Sequence, residues 1–434
     1  MKFNKWTVGL AAVGLVSLTS AARAEEKSMV ATALAGTSLS GYVDTSAQWN
    51  FGTGNQHLPP YKFGGSTKAD GFNLNVVQLR IEKPLDEAEW AAGYRVDLWA
   101  GPDANTLGTQ SILSTGSSDF AVRQAYVALR MPVCNGIDWK IGVFDSIIGY
   151  ESVESPSNPN FTRSYGHSIE PQTHTGVLAS YRFNELISIS GGVANTVNSS
   201  INSRAFFGST GGVPGGFFGT IVSAIAGGTA PLVSPGDNSY AESYKSYMGS
   251  VALTAPEHWG FLSGSTLYGG VVNGYNNSAL GSGVGLQQLN AYAGATIATP
   301  IKELRVGAAF DVADFNSSGV FHVAGGPVPA TVSVGAEVWT LAGYASFQAT
   351  EKLSLHARGE YVNARVDSPV SGHEDLVAFT GTVQYDLWKN VLTRLEFRWD
   401  RSVAGPPIFG GETPGLPGSL RNAFMLAGNI VYKF

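Results

Sequence analysis

The amino-acid sequence predicts an all-β protein: a transmembrane, up-and-down antiparallel β-barrel of about 16 strands, with short periplasmic turns and long external loops. Three observations predict it. Polar and apolar residues alternate with a period of two in sixteen segments, which is typical of strands with one face in an apolar medium and one in water. Most segments contain 10–13 residues, and a tilted strand needs about 9–11 to cross a bilayer. Short and long connections also alternate along the chain, as they do in outer-membrane barrels.

The composition excludes several other classes of protein. The 434 residues are 44% hydrophobic and 14% charged, whereas an average soluble domain carries roughly 25% charge. The aromatic and apolar content argues against disorder, and the single Cys134 argues against a disulfide scaffold. A net charge of −6 gives no electrostatic reason to expect nucleic acid as a partner.

Residues 1–24 have the layout of a secretory signal peptide. A basic start, an apolar stretch from Thr7 to Leu18 and a small-x-small cleavage site at Ala22-Arg23-Ala24 follow one another. The apolar stretch has about 12 residues, fewer than the roughly 20 that a spanning helix needs. The alternative is a retained N-terminal anchor. We expect residues 25–38 to form a short periplasmic segment and 39–434 to form the barrel.

The strands are predicted from the alternation itself. From Leu39 to Asn50 the odd positions are largely apolar or small, and the even positions are mostly polar. Near Val76-Val77 and Arg123 the alternation is broken, so the facing there is ambiguous, and the count stays open between fourteen and eighteen. Fifteen further segments repeat the pattern, at 72–83, 90–100, 120–130, 137–145, 173–182, 186–195, 244–255, 264–274, 288–298, 304–314, 337–348, 353–363, 375–386, 391–400 and 422–434.

The connections are sorted by parity. Gaps of 3 to 8 residues follow the even segments, such as Phe183-Asn184-Glu185, and gaps of 11 to 48 residues follow the odd ones. An even number of strands puts both chain ends on the short-turn, periplasmic side. A soluble sandwich has no reason to sort its connections in this way.

Aromatic residues mark the last strand and many strand ends. Tyr432 and Phe434 share one face of a strand that ends on an aromatic residue, which resembles the signature by which the barrel assembly machinery recognises outer-membrane barrels. Ordinary packing is the alternative for each of the other aromatic residues. We expect these to form interfacial girdles against outer-membrane lipid: Trp90, Trp99, Trp139, Tyr181, Trp259, Trp339, Tyr361, Tyr385 and Trp399.

Most strand charges lie on the polar face. Because an Arg or Lys facing lipid at the bilayer midplane costs about 2–4 kcal/mol, we expect this face to border a water-filled lumen. The alternative, that the charges pair across neighbouring strands and stiffen the wall, is compatible with the first. The pore-lining candidates on the strands are Arg80, Arg95, Asp97, Arg358, Glu360, Arg394, Glu396 and Arg398.

A family resemblance lies between residues 120 and 180. Its motifs are Arg123-Gln124-Ala125-Tyr126-Val127, Gly142-Val143-Phe144-Asp145, Gly149-Tyr150-Glu151, Asn158-Pro159-Asn160-Phe161-Thr162-Arg163-Ser164 and Thr173-His174-Thr175-Gly176-Val177. Together they resemble the outer-membrane β-barrel porins of the OmpL-like type. The resemblance implies porin-type diffusion across the outer membrane of a Gram-negative-type cell. The Gly- and Phe-rich stretch at about 205–233 matches no family motif.

The long connection 146–172 is the candidate constriction. In sixteen-stranded porins the loop at this place folds inward and narrows the channel, and the resemblance implies the same here. An ordinary external loop is the alternative. The constriction candidates on this loop are Glu151, Glu154, Arg163, His167 and Glu170.

The sequence therefore predicts a passive channel for small hydrophilic solutes. The alternative is a structural or adhesive barrel whose loops plug the lumen. We expect neither a cofactor nor catalysis, because no nucleophile elbow is present, and His167, Glu170 and His174 are weak metal candidates. The oligomeric state stays open, although general porins of this size commonly form homotrimers.

Overall fold

The computed structural model describes residues 36–434 apart from 53, 62–67, 108, 110–117, 198, 206–242, 277–281, 284–286, 322–329, 368–371 and 412–417. The predicted signal peptide, residues 1–24, and most of the Gly- and Phe-rich stretch 205–233 lie outside the described residues. Among the helices in the described part of the chain, none is long and apolar enough to cross a membrane.

Sixteen antiparallel strands form a single closed barrel. Each strand pairs with its neighbours in the chain, and the last strand pairs with the first. A two-residue segment, Ser282–Gly283, adds to the eleventh strand. The predicted fold class is confirmed. The strands are β1 (Ser38–Asn50), β2 (Gly71–Lys83), β3 (Ala92–Ala100), β4 (Phe120–Met131), β5 (Ile137–Asp145), β6 (Thr173–Arg182), β7 (Ile187–Ala194), β8 (Ser246–Thr254), β9 (Thr266–Tyr275), β10 (Gln287–Ala298), β11 (Leu304–Phe321), β12 (Ala330–Gln348), β13 (Leu353–Asp367), β14 (Gly372–Trp388), β15 (Val391–Ala404) and β16 (Asn422–Lys433).

The barrel closes where β1 meets β16. Nine residue pairs, from Tyr42 opposite Lys433 to Asn50 opposite Met425, form this seam. Beyond them Gly41 and Phe434 exchange two backbone hydrogen bonds, each 3.0 Å long. A Cβ atom at Gly41 would lie 2.1 Å from the Gln78 carbonyl oxygen and 2.7 Å from the Phe434 ring. Glycine at this position therefore lets the final aromatic residue lie across the seam.

Strands β11–β15 extend further than the sequence predicts. They contain 14 to 19 residues, more than the 9–11 that span a bilayer. The connections after β11 and β13, at 322–329 and 368–371, are consequently short, and the predicted minimum of 11 residues is wrong for them. The alternation reports only the part of a strand that faces lipid, because backbone pairing outside the bilayer needs no apolar face.

One turn at the opposite end of the barrel is longer than predicted. The connection between β8 and β9 has eleven residues, 255–265, and includes a 3-10 segment, Glu257–Leu262. The remaining connections after even-numbered strands contain two to eight residues. The alternation of short and long connections is therefore clear in the first half of the chain and less regular in the second.

The two places of ambiguous facing are β-bulges. In β2 the pairing with β1 passes from Val76 to Leu74 and leaves Asn75 as an extra residue. In β4 the pairing with β3 passes from Gln124 to Val122 and leaves Arg123 as an extra residue. A bulge puts two successive side chains on one face of the sheet, and both Asn75 and Arg123 are buried inside the barrel.

The outer face carries the exposed apolar side chains, as predicted for a surface in lipid. Tyr385 is exposed on this face, and Trp90 and Trp259 are exposed in the turns before β3 and β9. The expectation for Trp99 is wrong, since this residue is only 1% exposed and its Nε1 donates to the Gln78 Oε1 at 2.6 Å. Trp99 lies an even number of residues from Arg95 and Asp97, and it therefore points to the same inner face as they do.

Adjacent residues of β7 provide a test of the facing. Ile189 is exposed on the outer face, whereas Ser190 is partly accessible inside the barrel and is bonded to Ser180 at 2.8 Å. In a Cys134→Ser background, we expect a cysteine at Ser190 to react with a water-soluble thiol reagent in the membrane. A cysteine at Ile189, the matched control, is expected to be shielded by lipid. The reverse pattern of labelling would show that the register is displaced by one residue.

Candidate functional site

The connection 146–172, here called the inner loop, lies inside the barrel. It contains a 3-10 segment, Ser155–Ser157, and a short helix, Tyr165–Ile169. Ser164 begins this helix, because its hydroxyl accepts a hydrogen bond from the His167 backbone N–H at 3.1 Å. Two groups of inward-facing charged side chains hold the loop, one on β2–β4 and the other on β13–β15.

The first group, the β2–β4 cluster, is built around Asp97. Arg80, Arg95 and Arg123 each donate to its carboxylate at 2.8 Å. The same three arginines pair with Glu154 of the inner loop, and the distances from Arg95 and Arg123 are 3.1 and 3.2 Å. Burial by itself would raise the pKa of Glu154, but Arg123, Arg80 and Arg95 outweigh it and hold this pKa below its ordinary value.

The second group, the β13–β15 cluster, includes Arg358 as its most connected member. The Arg358 Nη1 donates to the Glu151 Oε1 at 2.8 Å and to the Thr162 carbonyl at 2.9 Å. Its Nε donates to the Glu360 Oε2 at 2.7 Å. One guanidinium therefore joins the wall to two separate parts of the inner loop.

Carboxylates of the same cluster bind the backbone of the loop. Glu396 accepts hydrogen bonds from the backbone N–H groups of Phe161 and Thr162 at 2.6 and 2.8 Å. Glu360 accepts one from the backbone N–H of Tyr165 at 2.7 Å. A loop buried in a barrel has few other partners for its peptide groups, and an unpaired buried N–H group is costly. These carboxylates supply the missing hydrogen-bond acceptors.

Further members of the cluster bind carbonyl and hydroxyl groups of the loop. Arg398 donates to the Arg163 carbonyl at 2.7 Å, and the Tyr165 hydroxyl donates to Asp400 at 2.9 Å. Arg394 donates to the carbonyl oxygens of Ser155, at 3.1 Å, and of Asn158.

The candidate residues thus fall into two sets. Most of them are buried where the loop meets the wall, so in this arrangement they fasten the loop instead of bordering open water. Five candidates, Arg80, Arg95, Glu151, Glu154 and Glu170, also border a cavity below the loop. The fastening set is Arg358, Glu360, Arg394, Glu396 and Arg398, whereas Asp97 is buried among the wall arginines, and Arg163 and His167 are buried on the loop itself.

Three candidates on the loop have environments of their own. Arg163 donates to the carbonyl oxygens of Phe161 and Val153, both at 3.1 Å. Burial, aided by the charge of Arg163, lowers the pKa of His167 to about 3. Burial and the neighbouring Asp311 carboxyl raise the pKa of Glu170 well above its ordinary value. At neutral pH His167 is therefore uncharged, and the shift of the Glu170 pKa favours the protonated carboxyl.

The cavity has a volume of about 590 Å³ and lies between the inner loop and β8–β12. It borders the ends of these strands that meet in the short turns, which are periplasmic in outer-membrane barrels. Tyr150 of the loop stacks on Tyr344 of the wall with the ring centroids 4.1 Å apart. A cavity of this size is in the range that small molecules occupy in proteins.

The family model described as "Putative beta-barrel porin-2, OmpL-like" matches residues 36–434. The chain belongs to this porin family. The match covers the whole barrel from β1 to the final residue, and the predicted resemblance is confirmed. The protein is an outer-membrane porin, and family and fold together favour a channel over an enzyme. A search of curated protein sequences found no match.

Solved structures similar to this porin are outer-membrane proteins. The outer membrane channel DcaP of Acinetobacter baumannii has a TM-score of 0.52 at 12% identity, over 92% of this chain and 97% of that one. The anion-selective porin from Comamonas acidovorans has a TM-score of 0.50 at 12% identity, over 92% of this chain and 99% of that one. OmpT of Vibrio cholerae has a TM-score of 0.50 at 11% identity, over 92% of this chain and 97% of that one. At these identities the likeness shows the fold.

Two residues that hold the inner loop of the porin were not expected from the sequence. Arg123 completes the β2–β4 cluster, and its signal was the broken alternation at Val122-Arg123-Gln124. Tyr61, in the connection between β1 and β2, is fully buried against the loop, and its ring lies 5.3 Å from the Arg398 guanidinium. No pattern in the sequence distinguishes Tyr61 from an exposed loop tyrosine.

The metal candidates of the porin do not form a site. His174 bonds Ser146 at 3.2 Å, and His167 lies 4.0 Å from Glu170. Within the residues that the structure describes, no three His, Cys, Asp or Glu side chains are grouped to hold an ion.

Proposed function

We propose that the porin gives passive diffusion to small hydrophilic solutes, along the side of the lumen that the inner loop leaves open. The observation that carries this is the asymmetry of the loop's attachment. Charged side chains of β2–β4 and β13–β15 fasten it, whereas its contacts with β9–β12 are made mainly by uncharged groups, such as Tyr150 on Tyr344 and Asn290 on the Ile169 carbonyl. A cavity lies between the loop and this wall, and small hydroxyl side chains of β6–β12 stay partly accessible inside the barrel. These partly accessible residues are Ser180, Ser188, Ser190, Ser250, Thr266, Thr296 and Ser346.

The inner loop is the proposed constriction. Glu151 and Glu154 reach the cavity from the loop, and Arg80 and Arg95 reach it from the wall. Glu154 is paired with both arginines and Glu151 with Arg358, so these charges border the cavity as ion pairs, whose local field low-dielectric walls focus. These four residues are the proposed constriction residues, and those of the fastening set keep the loop in position.

Liposome swelling with neutral sugars of graded size tests this function. We expect liposomes that contain the purified porin to swell in isotonic solutions of pentoses and hexoses, and to swell more slowly as the sugar grows. Liposomes without protein are the control. Absence of swelling with every sugar, by protein that is folded and inserted, would contradict an open channel.

The alternative is a structural or adhesive barrel with a plugged lumen. Apolar contacts inside the barrel favour it: Phe161 of the inner loop packs with Tyr61 and Met425, and Tyr165 and Ile169 pack with Phe409. Three separate connections therefore enter the lumen on the side of β11–β16. The swelling experiment decides between the two functions, because a plugged barrel passes no sugar.

We further propose export by a cleaved signal peptide, assembly through the outer-membrane barrel machinery and a homotrimeric state. The signal-peptide layout of residues 1–24 and the aromatic end at Phe434 support the first two. The mass of the mature protein tests cleavage of the signal peptide, and chemical cross-linking in the membrane tests the trimer.

A further inference from the structure

Arg305 is an unpaired charge in the cavity below the inner loop. It lies on the inner face of β11, opposite Ala298 of β10 and Ser346 of β12. Its side chain is exposed and borders the cavity. Among the described residues no carboxylate, ring or hydrogen-bond acceptor is paired with it. This distinguishes Arg305 from Arg80 and Arg95, which share Asp97 and Glu154.

The carboxyl groups around the cavity are already neutralised. Asp145 and Glu151 accept hydrogen bonds from Arg123 and Arg358 at 2.7 and 2.8 Å. Glu154 lies among three arginines, and burial beside the Asp311 carboxyl raises the pKa of Glu170 well above its ordinary value. Among the described residues that line the cavity, Arg305 is therefore the charge without a counter-ion that an entering ion meets.

An aromatic ring borders the same cavity as this charge. Tyr150 of the inner loop occupies a slot over Gly307, where a Cβ atom would lie 2.0 Å from its hydroxyl oxygen. The Thr296 hydroxyl bonds this phenol at 3.3 Å. Gly307 is two residues after Arg305 on the same face of β11, so Arg305 and Tyr150 border the same part of the cavity.

We propose that Arg305 and Tyr150 form a subsite for small organic carboxylates with an apolar or aromatic body. The carboxylate binds the guanidinium, whose planar donors match its two oxygens, and the body lies along the Tyr150 ring. This inference rests on the proposed channel function, since the ligand reaches the cavity through the lumen.

Chloride current through single channels in a planar bilayer tests the subsite, with benzoate as the probe. We expect benzoate to reduce the current at concentrations at which acetate and benzamide do not, because acetate lacks the ring and benzamide lacks the charge. Arg305→Gln is expected to weaken the effect of benzoate about tenfold, the loss of one charge-assisted contact. The inhibition of Arg305→Lys by benzoate is expected to lie between that of the wild type and that of Arg305→Gln.

Arg182→Gln is the matched control. This substitution removes the same charge near the same end of the lumen. The Arg182 guanidinium, however, donates to the Asn184 and Glu185 carbonyls of its own turn. Equal effects of Arg182→Gln and Arg305→Gln would show that net charge alone matters and would overturn the subsite. Equal inhibition of the wild type by benzamide and benzoate would overturn the subsite as well. So would inhibition of Arg305→Gln by benzoate at the concentrations that inhibit the wild type.

Binding to the detergent-solubilised porin separates this inference from the channel function. Calorimetric titration with benzoate is expected to show binding that Arg305→Gln weakens, whether or not current flows. A folded porin that conducts but binds no benzoate would contradict the subsite alone. A folded porin that binds benzoate but never conducts would contradict the proposed function alone.

Discussion

Replacing Arg358 with alanine is expected to destabilise the folded porin by about 3–5 kcal/mol and to release part of the inner loop. The change leaves Glu151 as a buried carboxylate without its guanidinium partner, and Glu360 with only Arg398, 4.0 Å away. It also removes the donor to the Thr162 carbonyl. We expect the folded form to lose its fast migration on gels at a lower temperature, and the single-channel conductance to become larger and noisier.

Two further variants show whether buried charge is the cause. Arg365→Ala removes an exposed arginine from the same strand and is expected to behave as the wild type. Adding Glu151→Gln and Glu360→Gln to Arg358→Ala removes these two carboxylate charges, and we expect it to recover much of the lost stability. Equal melting of Arg358→Ala and Arg365→Ala would contradict the role of Arg358 as an anchor.

Deletion of Phe434 is expected to lower strongly the amount of folded barrel in the outer membrane. The deletion removes both backbone hydrogen bonds to Gly41, a loss on the order of 1–3 kcal/mol at the seam. It also removes the ring that lies over Gly41. The measurement is the yield of heat-modifiable protein in purified outer membranes.

Substitution at the same place separates the ring from the backbone. Phe434→Ser keeps the two hydrogen bonds and loses the aromatic side chain, so a yield as low as that of the deletion would identify the ring as the assembly signal. Lys433→Ser, beside it and exposed, is the control. Normal yields from both Phe434 variants would contradict the role of this residue in assembly.

The barrel was predictable from the sequence because lipid and water impose the alternation directly. Segments such as Leu39–Asn50 coincide with observed strands for this reason. The parts of β11–β15 beyond the bilayer were missed, because no apolar face marks them. The bulges at Asn75 and Arg123 appeared in the sequence as broken alternation, but the pattern alone does not say which residue is the extra one.

The candidate site was predictable in its residue types but not in its contacts. The polar face located Arg358, Glu396 and Arg398 correctly on the inside of the barrel. Whether such a residue meets water or a loop depends on contacts between distant parts of the chain, which alternation does not report. Arg305 and Arg394 follow the same pattern in the sequence, yet one is exposed in a cavity and the other is buried beneath the loop.

The distance along the chain between the inner loop and its anchors imposes an order on maturation. The bond from Phe161 to Glu396 and that from Tyr165 to Asp400 each join residues 235 positions apart. Contacts of such span repay their chain entropy only after the intervening strands are paired. Until then the charges on β13–β15 are hydrated. We therefore expect the inner loop to dock last, after the sixteen strands have closed into a cylinder.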